Sequence, residues 1–326
     1  MSAALVDLSS YFYDNNEFTF FLIAFDFALA MFLSYVIITK SKHLGSYKYF
    51  LLNQNISGVL LSMVLVLGRP VALAPYYCIF MAGPLRLFAG TTTTIILASS
   101  AILYFLNAIS IIVVSIINRY IHMFHSTYTY VFQKWYLFIL INILFNFLFT
   151  LAFLFAIRDS FASHETIVAI AMNETDGALV KFYNEPTLMC FSTAGTKIDK
   201  VAQGITVTII FLAIVLISMT SAFVLAVKRL KTVCISKLSR SLYISVIVQS
   251  ILLILIIFMP TAVFGIMYSL KFTSSANFAS FLISFASFHG TVDTLSMLYF
   301  IVPYRKYCLS LFCRKKSRVA SEDQKS

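Results

Sequence analysis

Charge is what this chain has least of. Only 11% of its 326 residues are Asp, Glu, Lys or Arg, against about 25% in ordinary soluble domains. Proline occurs six times and glycine ten, too few for a fibrous or low-complexity chain. No solenoid-scale period repeats and no heptad register persists. The five histidines, at 43, 122, 125, 164 and 289, are scattered. His122 and His125 stand three apart with no third ligand nearby, so no metal site is indicated. A nucleophile elbow and a phosphate-binding loop are also missing. These absences leave an enzymatic reading with little support and no implied cofactor. What the chain has instead is apolar surface: 60% of residues are hydrophobic and the mean hydropathy is +0.90.

The rare charges delimit the apolar runs. Uncharged stretches lie between Lys48 and Arg69, Arg86 and Arg119, Lys134 and Arg158, Lys200 and Lys228, and Arg240 and Lys271. Two further stretches, Glu17 to Lys40 and Lys271 to Arg305, each contain one acid, Asp26 and Asp293. A helix needs about 20 apolar residues to cross the hydrocarbon core, so each stretch crosses once. The expected fold is an all-α polytopic bundle of seven transmembrane helices, near 18–39, 49–72, 88–117, 135–157, 201–227, 242–270 and 278–302. The bundle occupies 17–304, between an N-terminal segment of 1–16 and a tail of 305–326. Continuous apolar runs, rather than alternating polarity, argue against a β-barrel.

Seven crossings put the termini on opposite sides. The segments 40–48, 119–134, 228–240 and the tail hold seventeen of the 24 Lys and Arg residues, and the opposite set holds seven. The positive-inside rule therefore places the N-terminus outside, in a multi-pass plasma-membrane topology. The net charge of +11 reads as attraction to the bilayer's anionic lipid and to an intracellular partner, not to nucleic acid. The opening "MSAALVDLSSYFYDNN" lacks a basic n-region, so the first helix is expected to be its own uncleaved insertion signal.

On this topology Cys78 and Cys190 fall outside, and Cys234, Cys308 and Cys313 inside. Outside is oxidising, so the sensible disulfide is Cys78 to Cys190, the alternative being two free thiols. The sequon at Asn173 lies on the same outer side and is a candidate glycosylation site, whereas the sequon at Asn55 should be silent. The long outer loop 158–200 is either a lid over an outer cavity or a mobile connection.

Seven helices with an outer N-terminus and a basic inner face match the layout of a G-protein-coupled receptor, a class-level analogy. Several positions fit it. Asn118-Arg119-Tyr120 falls at the inner end of the third stretch, where an arginine either anchors the helix at the headgroups or serves as a five-donor coupling group. Lys228, Arg229 and Lys231 form a short basic loop suited to a G-protein contact. Pro260 frees the carbonyl of Ile256 and is expected to kink the sixth helix.

Asp293 is costly at mid-membrane and should find partners inside the bundle. His289 lies one turn away on the same face, and Asp26 is the other intramembrane acid. The three are expected to form a polar node, either packing the helices or switching with proton or sodium occupancy. Thr94, Ser99 and Asn107 either line a cavity for a small apolar ligand or spend their polar groups on packing. Pro303 ends the seventh span. The following "YRKYCLSLFCRKK" reads as a short amphipathic interfacial helix, with Cys308 and Cys313 as candidate palmitoylation sites.

"GSYKYFLLNQ" at the first inner loop, "NRY" at the third helix and "YFIVPYR" after the seventh together resemble the nematode serpentine chemoreceptors of the Str superfamily, nearest its class-delta branch. The resemblance implies a receptor in sensory-neuron cilia, binding a small odorant or pheromone and signalling through a heterotrimeric G protein. It carries Asn118, Arg119 and Tyr120 onto the family's helix-3 end, and Pro303, Tyr304 and Arg305 onto its exit motif. The alternative is a seven-helix ligand-gated channel or a small-solute transporter.

Overall fold

The computed structural model describes residues 8–12, 17–124, 134–156, 163–191, 198–229, 237–272 and 275–311. The first helices are α1 (Glu17–Lys40) and α2 (Tyr47–Gly68), followed by a hairpin of β1 (Pro70–Ala72) and β2 (Cys78–Met81). Then come α3 (Thr91–Phe124), α4 (Trp135–Ala156), the short α5 (His164–Thr175), β3 (Met189–Cys190) and α6 (Ile198–Arg229). The sixth crossing is α7 (Lys237–Leu253) and α8 (Met259–Ser269), joined by a π-helical turn at Ile254–Phe258. The seventh is α9 (Ala276–Ala286) followed by α10 (His289–Phe300). A last helix, α11, covers 302–311.

Six of these runs are long and apolar enough to cross a membrane. With the α9–α10 pair they make an all-helical seven-crossing bundle. α4 and α6 present Phe145, Phe149, Val207 and Phe211 outward, as lipid-facing helices do. The main core lies between α1, α2, α3, α7 and α10, around Leu33, Phe50, Ile111, Ile112, Val246 and Met297. Two helix-to-helix approaches among the described residues depend on having no side chain. A Cβ on Gly290 would fall 2.6 Å from the carbonyl oxygen of Gly58, and Gly265 of α8 is pressed against Thr206 of α6. Backbones this close are typical of membrane bundles, where packing replaces the hydrophobic effect between helices.

Several boundaries differ from those the charges suggest. The 49–72 stretch is helical only to Gly68; Arg69 adopts φ 42 as a left-handed cap, and Pro70–Ala72 pair as a strand. The third helix, expected to close at 117, runs on to Phe124, because no Gly or Pro interrupts 118–124 beyond the apolar limit. Asn118 and Arg119 are consequently inside a helix, not at its end. The seventh stretch is not one helix. Ser287 and Phe288 donate to carbonyls three residues back, a tight turn that breaks the run beside His289.

One end of the bundle is capped. β1, β2 and β3 form an antiparallel sheet in which Cys78 sits opposite Cys190. A disulfide joins these two cysteines. The cap has its own apolar core of Leu8, Val71, Phe80, Ile167, Leu179 and Phe182. Arg86 and Glu185 pair in a two-toothed ion bridge, and Arg69 donates to the Tyr11 carbonyl at 2.5 Å. Residues 163–191 of the 158–200 segment pack into this cap. The opposite end carries Lys40, Lys48, Lys228, Arg229, Arg240 and Arg305 and is called the basic end below.

Candidate functional site

Three short motifs, far apart in sequence, meet at the basic end. Arg119 of α3 lays its guanidinium over the ring of Tyr47, with the central carbon 3.2 Å from the ring centroid. Tyr47 opens α2, and its hydroxyl is buried without a hydrogen-bond partner. Tyr304, completely buried in α11, shares a 2.5 Å hydroxyl hydrogen bond with Ser41, in the turn between α1 and α2. Burial pushes the Tyr304 phenol above its ordinary range, next to both Tyr47 and Arg119. Pro303 stands in the first turn of α11, after Ile301 turns extended. Proline fits there because a first-turn amide has no intrahelical acceptor.

Arg119 has no carboxylate partner among the described residues, and its Nε and Nη2 are buried without hydrogen bonds. Neighbouring Asn118 is fully buried with both amide atoms unpartnered. Tyr120 points outward and stacks on Phe124, 4.7 Å between centroids. An unpaired guanidinium on an aromatic face is held by attraction to the ring quadrupole, worth about 2 kcal/mol when desolvated. That is strong enough to bias the arginine's position and weak enough to be exchanged for another partner.

The expected node of Asp26, His289 and Asp293 is not one cluster. Gln54 of α2 donates to both carboxylate oxygens of Asp293, at 3.0 and 3.2 Å. Gln249 of α7 lies beside the same carboxylate, with its Nε2 buried and outside hydrogen-bond geometry. Thr291 donates to Asp26, bringing α10 to α1. The Nε2 atom of His289 is buried and unpartnered. Residues 291 and 293 point to different sides of one helix, which is why the two acids serve different neighbours.

Asn55 extends this network. Its amide donates to the Ala30 carbonyl and to Ser34 of α1, and its oxygen accepts from Thr294 of α10 at 3.0 Å. Ser57, one turn-face away, accepts from Asn107 of α3. Asn107 in turn accepts from Asn142 of α4 at 2.5 Å, and Asn146 donates to Ser110 at 3.0 Å. Buried polar groups thus tie α1, α2, α3, α4 and α10 together across the middle of the bundle. Sequence reasoning gave no structural role to Tyr47 and Gln54, met only inside a quoted motif, to Asn55, met only as a silent sequon, or to Thr291 and Asn142. For all but Tyr47 the signal was there: each is a polar residue inside an apolar run, which in a membrane must find a partner.

The remaining candidates fall into separate places. Ser99 bonds back to the Ile95 carbonyl, and Thr94 lies under the cap against the carbonyl of Thr187. Thirteen residues separate Thr94 from Asn107, roughly 20 Å of helix, so they do not line one small cavity. Pro260 stands two residues past the end of the π turn at Phe258, and Thr261 donates to the Ile257 and Phe258 carbonyls at 2.7 and 3.2 Å. Asn173 is exposed on α5. Cys308 is a half-buried free thiol, and burial raises its pKa. Lys228 and Arg229 are exposed at the end of α6. Lys231 and Cys313 lie outside the described residues.

No curated protein matches the chain. The family model described as serpentine type 7TM GPCR chemoreceptor Srh matches residues 11–314, nearly the whole chain. The class-delta branch inferred from the exit motif is thereby corrected, because Srh is a different family. On this match the chain belongs to the Srh family of serpentine seven-transmembrane G-protein-coupled chemoreceptors.

Proposed function

We propose that this receptor senses a small, mostly apolar odorant or pheromone at its capped half and relays binding to a heterotrimeric G protein at its basic end, which faces the cytoplasm. The observation that carries this reading is Arg119, stacked on Tyr47 beside buried Tyr304 with two guanidinium nitrogens unpartnered. The N-terminus and the disulfide cap are then extracellular, in keeping with the charge asymmetry and with the oxidising side that a disulfide requires. Ligand binding would act on the Asp293–Gln54 and Asn55 contacts, whose rearrangement moves α10 against α2. That movement releases Arg119 to meet carbonyls of the inserted partner. The cilium of a sensory neuron is the proposed site of action.

A transport reading gains something from the broken seventh crossing, since transporters use discontinuous helices at the midplane. The break here frees little. Both residues of the turn remain hydrogen-bonded to the preceding turn, which leaves no unwound backbone to coordinate a solute. Expression in a reporter cell with a panel of volatiles and pheromones tests the receptor reading. Arg119→Ala should reach the surface at wild-type levels and lose ligand-evoked signalling; a normal response from that variant would remove the coupling role. An N-terminal epitope that stains only after permeabilisation would reverse the proposed orientation.

A further inference from the structure

On the outside of the bundle a groove of about 520 Å³ runs between α6 and α7. Ile217 and Leu225 on one wall face Ile247, Ile251 and Leu255 on the other. Two hydroxyls line it, Thr220 and Ser221, and Thr220 is already committed to the Leu216 carbonyl at 2.8 Å. The groove starts at the π turn, since Ile254 and Leu255 belong to both. α6 and α8 close up beyond it, where Gly265 meets Thr206.

Each wall of the groove leads to a cation. On α6 the stripe Ile217, Ser221, Leu225 advances by four and reaches Arg229 at the next step, with Lys228 three residues beyond Leu225. On α7 the stripe Ile254, Ile251, Ile247 continues seven residues back to Arg240. These spacings keep the cations on the groove-lining faces. At 1.5 Å rise per residue, they stand roughly 5–10 Å past the last apolar lining residue. All three are exposed. Among the described residues none of the three forms an ion pair, and positions 200–272 contain no Asp or Glu.

We propose that the groove binds an anionic phospholipid from the leaflet at the basic end, one acyl chain against the apolar walls and the headgroup on Lys228, Arg229 and Arg240. Apolar walls with no free backbone donors suit an acyl chain better than a polypeptide segment, which would bring polar groups needing partners. Three unpaired cations favour a headgroup with net negative charge over a zwitterion that carries its own ammonium. Each such cation near a membrane surface is worth about a fivefold gain in affinity for anionic lipid. The site needs only the membrane-spanning fold and does not rest on the coupling role of Arg119.

The test is photocrosslinking in phosphatidylcholine nanodiscs doped with phosphatidylserine or phosphatidylcholine whose acyl chain carries a diazirine. Labelled peptides are then mapped by mass spectrometry. The serine lipid should label 217–225 and 247–255 at least tenfold more than the choline lipid at equal mole fraction. The K228Q/R229Q/R240Q variant should erase that preference, and S221W, which fills the groove, should reduce labelling by either lipid. The charge variant alters only exposed side chains, so it remains decisive if S221W folds poorly. Equal labelling by the two lipids, or labelling spread evenly over the lipid faces of α1 and α4, would overturn the proposal and leave only unselective boundary lipid.

Discussion

The guanidinium of Arg119 rests on the ring face of Tyr47, 3.2 Å from its centroid, and so joins the third helix to the first turn of the second. Neither residue has another described hydrogen-bond partner for its buried polar atoms. The contact therefore depends on the ring itself. Tyr47→Phe should leave expression and basal signalling close to wild type. Tyr47→Ala removes an interaction worth about 2 kcal/mol and should raise ligand-independent signalling by up to roughly 30-fold, measured at matched surface density.

Tyr304 offers a second handle at the same end. Its phenol is raised above the ordinary value near 10 by burial, so it stays protonated, folded or unfolded, at every pH below about 9. A raised folded-state pKa gives this group no leverage on stability in that window, because proton uptake is the same in both states there. Tyr304→Phe should leave the pH dependence of thermal unfolding unchanged between pH 6 and 9. It should cost about 1 kcal/mol of stability through the orphaned Ser41 hydroxyl, seen as a midpoint lowered equally at each pH. A new pH dependence in this variant would mean that the phenol titrates.

Asp293 receives both its described hydrogen bonds from Gln54. Gln54→Ala should therefore cost about 1–3 kcal/mol of stability by leaving a buried carboxyl group unpaired. Asp293→Asn keeps an acceptor for the glutamine and should instead shift basal signalling with little change in detergent melting. Equal melting losses from the two variants would reduce Asp293 to a packing residue.

Gly290 and Gly58 face each other but should not respond alike. A methyl on Gly290 falls 2.5 Å from Ser62 Oγ and 2.6 Å from the Gly58 carbonyl, whereas one on Gly58 meets Gly290 Cα at 3.7 Å. Gly290→Ala should force α2 and α10 apart and reduce surface expression; Gly58→Ala should be tolerated. Similar surface levels for the two would show that the crossing is looser than described.

The disulfide closes a separation of 112 residues, and chain entropy gives such a bridge roughly 2–5 kcal/mol. Cys78→Ser and Cys190→Ser should each lower the melting temperature by a similar amount, and the double variant by no more than either alone. Additive losses would mean that the cysteines act separately.

The crossings were legible because charge is so scarce: Lys48, Arg69, Arg86 and Arg119 bracket stretches whose interiors tolerate no other state in a bilayer. Their ends were less so. A helix does not stop where its apolar run stops, and α3 carries Arg119 about one and a half turns short of its end at Phe124. Gly68 and Arg69 hide a strand start that apolar content alone could not reveal, since Pro70–Ala72 is as oily as the helix before it. The partners of the acids were out of reach for another reason. Sequence spacing relates residues on one helix, as His289 to Asp293, while the bonds that form run between helices, from Gln54 and Thr291. Tyr47 could not be read as the arginine's partner because 72 positions separate them and only the fold brings them together.

The central claim is that Tyr47 restrains the arginine through which the receptor signals. The most direct measurement is the ligand-independent G-protein activation of Tyr47→Ala with and without Arg119→Ala, at equal surface expression. Elevated activity in the single variant that vanishes in the double variant is the predicted result. If the double variant stayed as active as Tyr47→Ala alone, signalling would not pass through Arg119, and the account would fail.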